Sequence, residues 1–290
     1  MRLAVLSDIH GNLPALQAIL EDLERVRPDG FILAGDYTGC PQAVETLQTL
    51  RRLKGWMIQG NGEASLRRVE CGDAPAEWMT LRQFGLLRWD YARLTDETRE
   101  FLNKLPEQQI VNLDNTAPIR VVHGSIRSPY EKVTPDGDAL ALEQMIGNID
   151  EAVLICGHTH IPWHREIQSR LIFNPGAVCG PLDGSIGAQY AILRWERQRW
   201  RVEHHRVDYD INAVRRSFQE SGLLEAGGYL ARSFLLSIES GRNVADEFLT
   251  YAYRLKQDAQ MNATEFIPDD IWEQAGRSFD WEGAEAGIAR

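Results

Sequence analysis

Five short apolar runs in this 290-residue chain each carry an Asp, Asn or His at their C-terminal end. They are RLAVLSD (2–8), GFILAGD (30–36), WMIQGN (56–61), IRVVHG (119–124) and AVLICGH (152–158). Their unbroken apolarity suits strands covered on both faces, not the alternation of a half-exposed strand. Between the first two, Leu13, Leu16, Leu20, Leu23 and Val26 recur at helical spacing, and Pro28 closes the segment. This β-α-β pattern predicts an α/β fold with a largely parallel sheet and helical crossovers.

The remaining chain reads in three parts. Residues 62–106 form a helical insertion, with Leu81, Phe84, Leu87 and Trp89 on one helix and Thr95 capping another, TDETREFLNKL. From 163 to 207 the runs WHREI, RLIFN, QYAILRW and RWRVEHHRV alternate with turns, which predicts a second, mixed or antiparallel sheet packed on the first. After 207 the chain becomes helical. The stripe Val244, Phe248, Tyr251 and Leu255 packs on the domain or supplies a homodimer contact. The acidic tail from 262, with aromatics at 266, 272, 279 and 281, is expected to wrap the surface or stay mobile. The domain organisation expected is therefore 1–207 as one α/β unit, with 62–106 as a possible lid, and 208–290 as a helical extension.

A net charge of −11 argues against a protein that grips long nucleic acid, which needs basic surface to displace counterions. It leaves room for a small phosphate ester, because a bound metal can supply a local positive centre. No apolar run reaches membrane-spanning length, and the N-terminal run is too short for a signal peptide. The four cysteines show no CxxC spacing, so a reduced, cytoplasmic protein is expected.

The strand-end residues are Asp8, Asp36, Asn61, His123 and His158, with His10 and His160 two positions beyond the first and last runs. In open parallel sheets the carboxyl ends of neighbouring strands meet at one crevice. Taken singly, Asp8 and Asp36 read as helix N-caps, the two strand-end histidines as satisfied core residues, and Asn61 between two glycines as turn chemistry. Taken together, no turn requirement puts Asp or His at the end of every strand. Seven N and O ligands without cysteine exceed the needs of one tetrahedral zinc. They suit two divalent ions sharing a carboxylate, with manganese expected and Fe, Zn, Co or Ni compatible. Such ions, about 3.5–4 Å apart, clamp phosphoryl oxygens. Asn61 would add an oxygen ligand without adding negative charge.

The ordered set DIHGN, GDYTG, GNGE, VHGS and GHTH strongly resembles the calcineurin-like metallophosphoesterases. The stretch NPGAVCGPLDG (174–184) is similar to that of the small bacterial and archaeal phosphodiesterase branch. The resemblance covers about 1–207, extends to RVDYD and the helix after it, and does not explain residues beyond about 241. It implies a four-layer αββα sandwich of two mixed sheets. It also implies Asp8, His10 and His160 on the first metal, Asn61, His123 and His158 on the second, and Asp36 between them. Asp36, Asn61 and His123 are then the candidate catalytic residues, and a metal-bridging hydroxide the implied nucleophile.

One departure matters. Many family members carry a histidine directly after the Asn, where it serves the leaving group; this chain has Gly62. Losing a general acid forfeits roughly 10²–10⁴-fold for leaving groups that need protonation. The expectation is thus preference for diesters or activated esters over alkyl monoesters. Glu63 keeps an acidic position behind the ligands or at a helix N-terminus. Asn12 and Arg127 are candidate substrate contacts, with loop stabilisation and a solvated charge as their alternatives. Arg67 and Arg68 read as a solvated helix face, and His164, His204 and His205 fall outside the motifs. Competing readings are a phosphatase on a nucleotide or phosphoprotein, a nuclease, and a non-catalytic scaffold of the kind this fold provides in a retromer subunit.

Overall fold

Strands β1 (Arg2–Leu6), β2 (Gly30–Leu33) and β3 (Gly55–Met57) alternate with helices α1 (Leu13–Val26) and α2 (Ala43–Leu50) in a computed structural model. The structure describes residues 1–137, 139–261, 265–286 and 288. A helical stretch follows: α3 (Asn61–Cys71), α4 (Ala76–Thr80), a 3-10 turn at Arg82–Phe84, α5 (Gly85–Arg93) and α6 (Asp96–Asn103). Then come β4 (Gln108–Val111), β5 (Ile119–Val122), α7 (Ala139–Ile146) and β6 (Val153–Ile155). Four strands complete the sheets: β7 (Trp163–Ile167), β8 (Arg170–Asn174), β9 (Ala188–Glu196) and β10 (Arg199–Val207). The chain continues with α8 (Ile211–Glu220), α9 (Leu223–Ser240), α10 (Val244–Asp258), α11 (Asp269–Ser278) and α12 (Trp281–Glu285).

The strands form two five-stranded mixed sheets, ordered β10-β9-β1-β2-β3 and β4-β5-β6-β8-β7. Within β1, Leu3 and Val5 face the second sheet and meet Ile119, Val153 and Phe173. The alternate residues Ala4 and Leu6 face Leu16, Ile19 and Leu47 of the outer helices. On the far side, Val122, Leu154 and Ile172 pack under Leu142 and Ile146 of α7. The result is the expected four-layer sandwich of helix, sheet, sheet and helix.

The partition of strands differs from the sequence expectation. The five apolar runs do not share one sheet: β1, β2 and β3 join β9 and β10, whereas β5 and β6 join β7 and β8. Both sheets are covered on both faces, so an apolar run reads alike in either, and the antiparallel register Arg2↔Arg194 to Val5↔Ala191 is a long-range choice. The strand β4, sequence QQIV, was not expected, because a polar edge strand reads as loop.

Local signals fared better at helix ends. Asn12 Oδ1 accepts the Ala15 amide (3.1 Å), and Arg27 ends α1 in the left-handed conformation (φ 51°) just before Pro28. Thr95 Oγ1 accepts the Thr98 amide (3.2 Å) as the cap of α6. The single helix expected over 81–89 is instead split, since Leu81 is extended (ψ 144°) between α4 and the 3-10 turn.

The tail is folded. Of 262–290, residues 262–264, 287, 289 and 290 lie outside the described residues, but Trp272 of α11 is buried and Trp281 of α12 nearly so. Their rings stand 5.0 and 5.3 Å from that of Phe248 on α10. This cluster takes up Val244 and Phe248 of the α10 stripe within its own chain, with Tyr251 and Leu255 partly buried against it. The tail also docks on the insertion: the Arg82 amide donates to Asp269 (2.8 Å) and Gln83 to the Ile267 carbonyl (2.9 Å). Helix α5 meets α9 so closely that a Cβ on Gly85 would lie 2.2 Å from the Ala226 carbonyl oxygen, so glycine is required there. Replacing Trp272 by Ala is expected to cost about 3–5 kcal/mol of stability, measurable as a lowered melting temperature. An unchanged melting transition would mean that the tail contributes no core.

Candidate metal centre

The candidate ligands stand at one end of the sandwich, contributed by both sheets. Asp8 and His10 follow β1, Asp36 follows β2, Asn61 opens α3, His123 follows β5, and His158 and His160 follow β6. Asp8, Asp36 and His123 are almost wholly buried. Positive φ, uncommon for residues other than glycine, occurs at Asp8 (55°), His10 (47°), Asp36 (56°), His158 (67°) and His160 (57°). Five ligand positions thus sit in a sparsely populated backbone region, the kind of strain that gathers at functional sites.

Three imidazoles are oriented from behind. The Nδ1 atoms of His10, His123 and His160 lie 2.9, 2.7 and 2.9 Å from the carbonyls of Thr38, Ala34 and Gly180. Each Nδ1 therefore carries the proton, and each Nε2 faces the interior of the site. His160 Nε2 lies 3.3 Å from Asp8 Oδ1 and 3.2 Å from His10 Nε2. Asp36 Oδ2 is 3.6 Å from His10 Nε2 and 3.4 Å from His123 Nε2, so one oxygen faces both groups of nitrogens. Asn61 Oδ1 is 3.0 Å from His123 Nε2. The ligand atoms of Asp8, His10 and His160 lie within 4.8 Å of one another, as do those of Asp8, Asp36 and His123.

The donor set fits divalent metal. Three Nε2 atoms and two buried carboxylates converge with no hydrophobic role for any of them. His158 stands further out: its amide donates to the Asp8 carboxylate (3.1 and 3.2 Å), and its Nε2 lies 3.1 Å from the Tyr130 carbonyl. Its ring is 5.4 Å from that of His123, within reach of the second group.

The glycines flanking Asn61 have separate reasons. A Cβ on Gly60 would lie 2.1 Å from Asp36 Oδ1, so only glycine lets the β3–α3 turn press against that carboxylate. The Gly62 amide donates to the same oxygen (2.8 Å). Glu63, buried, accepts the amides of Asp36 (2.9 Å), Tyr37 (2.8 Å) and Gly60 (2.9 Å), binding the Asp36 loop to the Asn61 loop. Burial, then the Asp36 charge, push its carboxyl up to about 7, against the pull of those amides. Asn174, from the NPG stretch, holds the His158–His160 turn through the Gly157 carbonyl (2.6 Å) and Thr159 (3.1 Å).

Burial disfavours the charged forms throughout the cluster, yet opposite charges outweigh it at four positions. His160 holds Asp8 down to about 2, and His123 holds Asp36 below the carboxylate range. The same carboxylates raise His123 to about 10 and His160 to about 9. His158, for which burial and then His123 dominate, falls to about 4.

The two candidate substrate contacts are each engaged by neighbouring residues. Asn12 is buried, caps α1 and donates Nδ2 to the Tyr209 hydroxyl (3.2 Å), the loop-stabilising alternative. Arg127 is half exposed and forked onto Glu131 four residues on, with Nε 3.0 Å from Oε2. Sequence reasoning missed Asp90 of α5, buried beside Thr38 and Gly39 in the loop after Asp36, and the pair Cys40 and Cys179, whose sulfurs are 3.8 Å apart. A lone Asp on a helix and two cysteines 139 residues apart give no local signal.

The family model of the calcineurin-like phosphoesterase superfamily domain matches residues 1–198. The chain belongs to that superfamily. It is 26% identical over 231 residues to the protein MJ0912 of Methanocaldococcus jannaschii, spanning 72% of this chain and 88% of that one. A metallophosphoesterase from Sphaerobacter thermophilus superposes with a TM-score of 0.66 at 28% identity, covering 83% of this chain and 99% of its own. The protein PH1004 from Pyrococcus horikoshii shares the fold, with a TM-score of 0.67 at 19% identity over 83% of this chain and 98% of its own. As a member of this superfamily the chain is a phosphoesterase, acting on phosphoric ester bonds.

In the metal-free protein, His123 and His160 both titrate above neutrality, so both are protonated at pH 7 and must lose that proton to bind metal. Metal loading at pH 7 is expected to release about two protons per chain, and affinity to weaken as pH falls. Titration calorimetry in buffers of different ionisation enthalpy measures this directly; no proton release would contradict the assigned charge states.

Proposed function

We propose that this phosphoesterase prefers phosphodiesters and works with two divalent metal ions, manganese being the expected pair, on a small substrate in the cytoplasm. The observation that carries the reading is the convergence of three Nδ1-anchored imidazoles on Asp8 and Asp36. Asp8, His10 and His160 would hold one ion, Asn61, His123 and His158 the other, and Asp36 both. When bound, the ions supply Lewis acidity toward phosphoryl oxygens and lower the pKa of water.

The chain's own residues set what the centre can do. Asp8 and Asp36 stay ionised at any physiological pH, so two negative charges are available to offset the cations. Asn61 contributes a neutral oxygen, which leaves more net positive charge for an anionic ester. The Glu63 carboxyl, through three amides, keeps Asp36 and the Asn61 turn in fixed relation.

At position 62 a Cβ would meet only Asp36 within 4 Å, at 3.2 Å from Oδ1, and the residue lines the cleft. No side chain there donates a proton to a departing alkoxide, which favours leaving groups that depart as stable anions. No helix among the described residues is long and apolar enough to cross a membrane.

With manganese added to metal-stripped protein, an aryl phosphodiester is expected to turn over faster than the matching monoester. Asp36→Asn should lower that rate by at least about 100-fold, since losing even an outer-shell partner costs about 10–100-fold. Metal-independent turnover in Asp36→Asn would refute the reading. Gly62→His is expected to raise the rate on alkyl esters relative to aryl esters, by up to about 10²-fold, the lower end for a general acid. An unchanged alkyl-to-aryl ratio would show that proton donation is not what the site lacks.

A further inference from the structure

A cavity of about 600 Å³ opens from the metal centre and runs between the insertion and the C-terminal helices. Its floor includes His10, Asp36, Asn61, His158 and His160. One wall carries Trp78 and Phe84 from the insertion, and the facing wall Leu230 and Phe234 of α9 with Leu249 and Tyr253 of α10. Phe266, beyond α10, completes the aromatic lining. These helices thus face the ligand residues across a half-open cleft of the size that takes a small organic molecule.

The lining is apolar where an ordinary surface cleft would be wet. Phe84, Leu230, Phe234 and Leu249 are only partly buried, and Tyr253 remains 39% exposed, yet all face a concavity. Apolar side chains left half covered around a cleft mark a surface that a ligand completes. Trp78 stacks on Phe84 at 5.5 Å, and Phe84 meets Phe266 edge-on at 5.3 Å, so the insertion and the tail join through aromatic faces. Offset and edge-on geometry of this kind extends readily to a further flat ring. Charge is confined: Asp90 is buried on the insertion side, while Lys132 and Asp246 pair with each other at 3.6 Å, both well exposed.

We propose that this cavity is the ester-group pocket of the enzyme, selecting phosphate esters whose organic group is bulky and aromatic. The inference rests on the phosphoesterase centre placing the phosphate at the ligand residues. From there the organic group would lie among the apolar lining residues, which include Phe84 and Phe234. Selectivity would then reside in the insertion and the helices after residue 207, and the centre would supply only hydrolysis. Both walls come from segments outside the two sheets, so a chain with the same sheets and other helices would select other esters.

Binding is measured separately from turnover. The probes are 1-naphthyl phosphate, octyl phosphate and methyl phosphate, titrated by calorimetry into manganese-loaded full-length protein. The expected result is naphthyl phosphate at least tenfold tighter than methyl phosphate and tighter than octyl phosphate, with the naphthyl-to-methyl ratio falling about tenfold in Phe234→Ala and in Leu249→Ala. Two helices of one wall are sampled so that poor folding of one variant, seen by circular dichroism, leaves the other decisive. Equal affinity for naphthyl and methyl phosphate would overturn the pocket, as would a ratio unchanged in a folded variant. Octyl phosphate binding as tightly as naphthyl phosphate would overturn the aromatic selection. Absent turnover of an aryl phosphodiester with the naphthyl preference intact would count against the proposed diester hydrolysis while supporting the pocket.

Discussion

The bonds from three imidazole Nδ1 atoms to the carbonyls of Ala34, Thr38 and Gly180 are the constraint on which the site depends. They fix the ring orientation, and so decide that three Nε2 atoms meet Asp8 and Asp36 in a buried space. Two of those carbonyls belong to the β2 end and the loop after it, which also carries Asp36. The third lies in the loop after the NPG stretch. Moving one loop would therefore disturb a ligand and the anchor of another together. Glu63 adds a buried carboxylate whose three amides tie the β2 and β3 ends, and Asn174 does the same for the turn after β6. The positive φ angles at five ligand positions are the local cost of aiming these side chains inward, and the four-layer core behind them holds that strain in place.

Placing the ligands on both sheets has a further consequence. Asp8 and Asp36 come from one sheet, His123 and His160 from the other, so their attraction acts across the sandwich. In the absence of metal the cluster is held by carboxylates facing protonated imidazoles. Metal binding would require those protons to leave, and the same carboxylates and imidazoles would then be free to serve as ligands. The helical segments outside the sheets meet each other over this end, through the Gly85 contact, the Asp269 and Ile267 bonds and the aromatic lining of the cleft.

Much of the site was legible because its chemistry is local to strand ends. Polar residues that stop apolar runs need no tertiary information to be noticed, and GHTH and GNGE each put two informative residues within four. Strand partners were not legible. A run such as RLAVL is apolar on both faces whichever sheet it joins, and the pairing of β1 with β9 spans most of the chain. The tail was misread because Phe248, Trp272 and Trp281 meet only after two turns of chain direction, which no periodicity records. Arg127 forks onto Glu131 in a loop where no helical spacing signals the pair, and Asn12 stands before Leu13 and Pro14 in the position of a helix cap.

The central claim is that the Asp and His cluster holds two ions with Asp36 between them. Anomalous diffraction from crystals grown with manganese tests it most directly, using data collected on both sides of the manganese edge. Two peaks about 3.5–4 Å apart flanking Asp36, the spacing of a two-metal site, are the predicted result. A single peak, or peaks away from Asp8, Asp36 and His123, would contradict it.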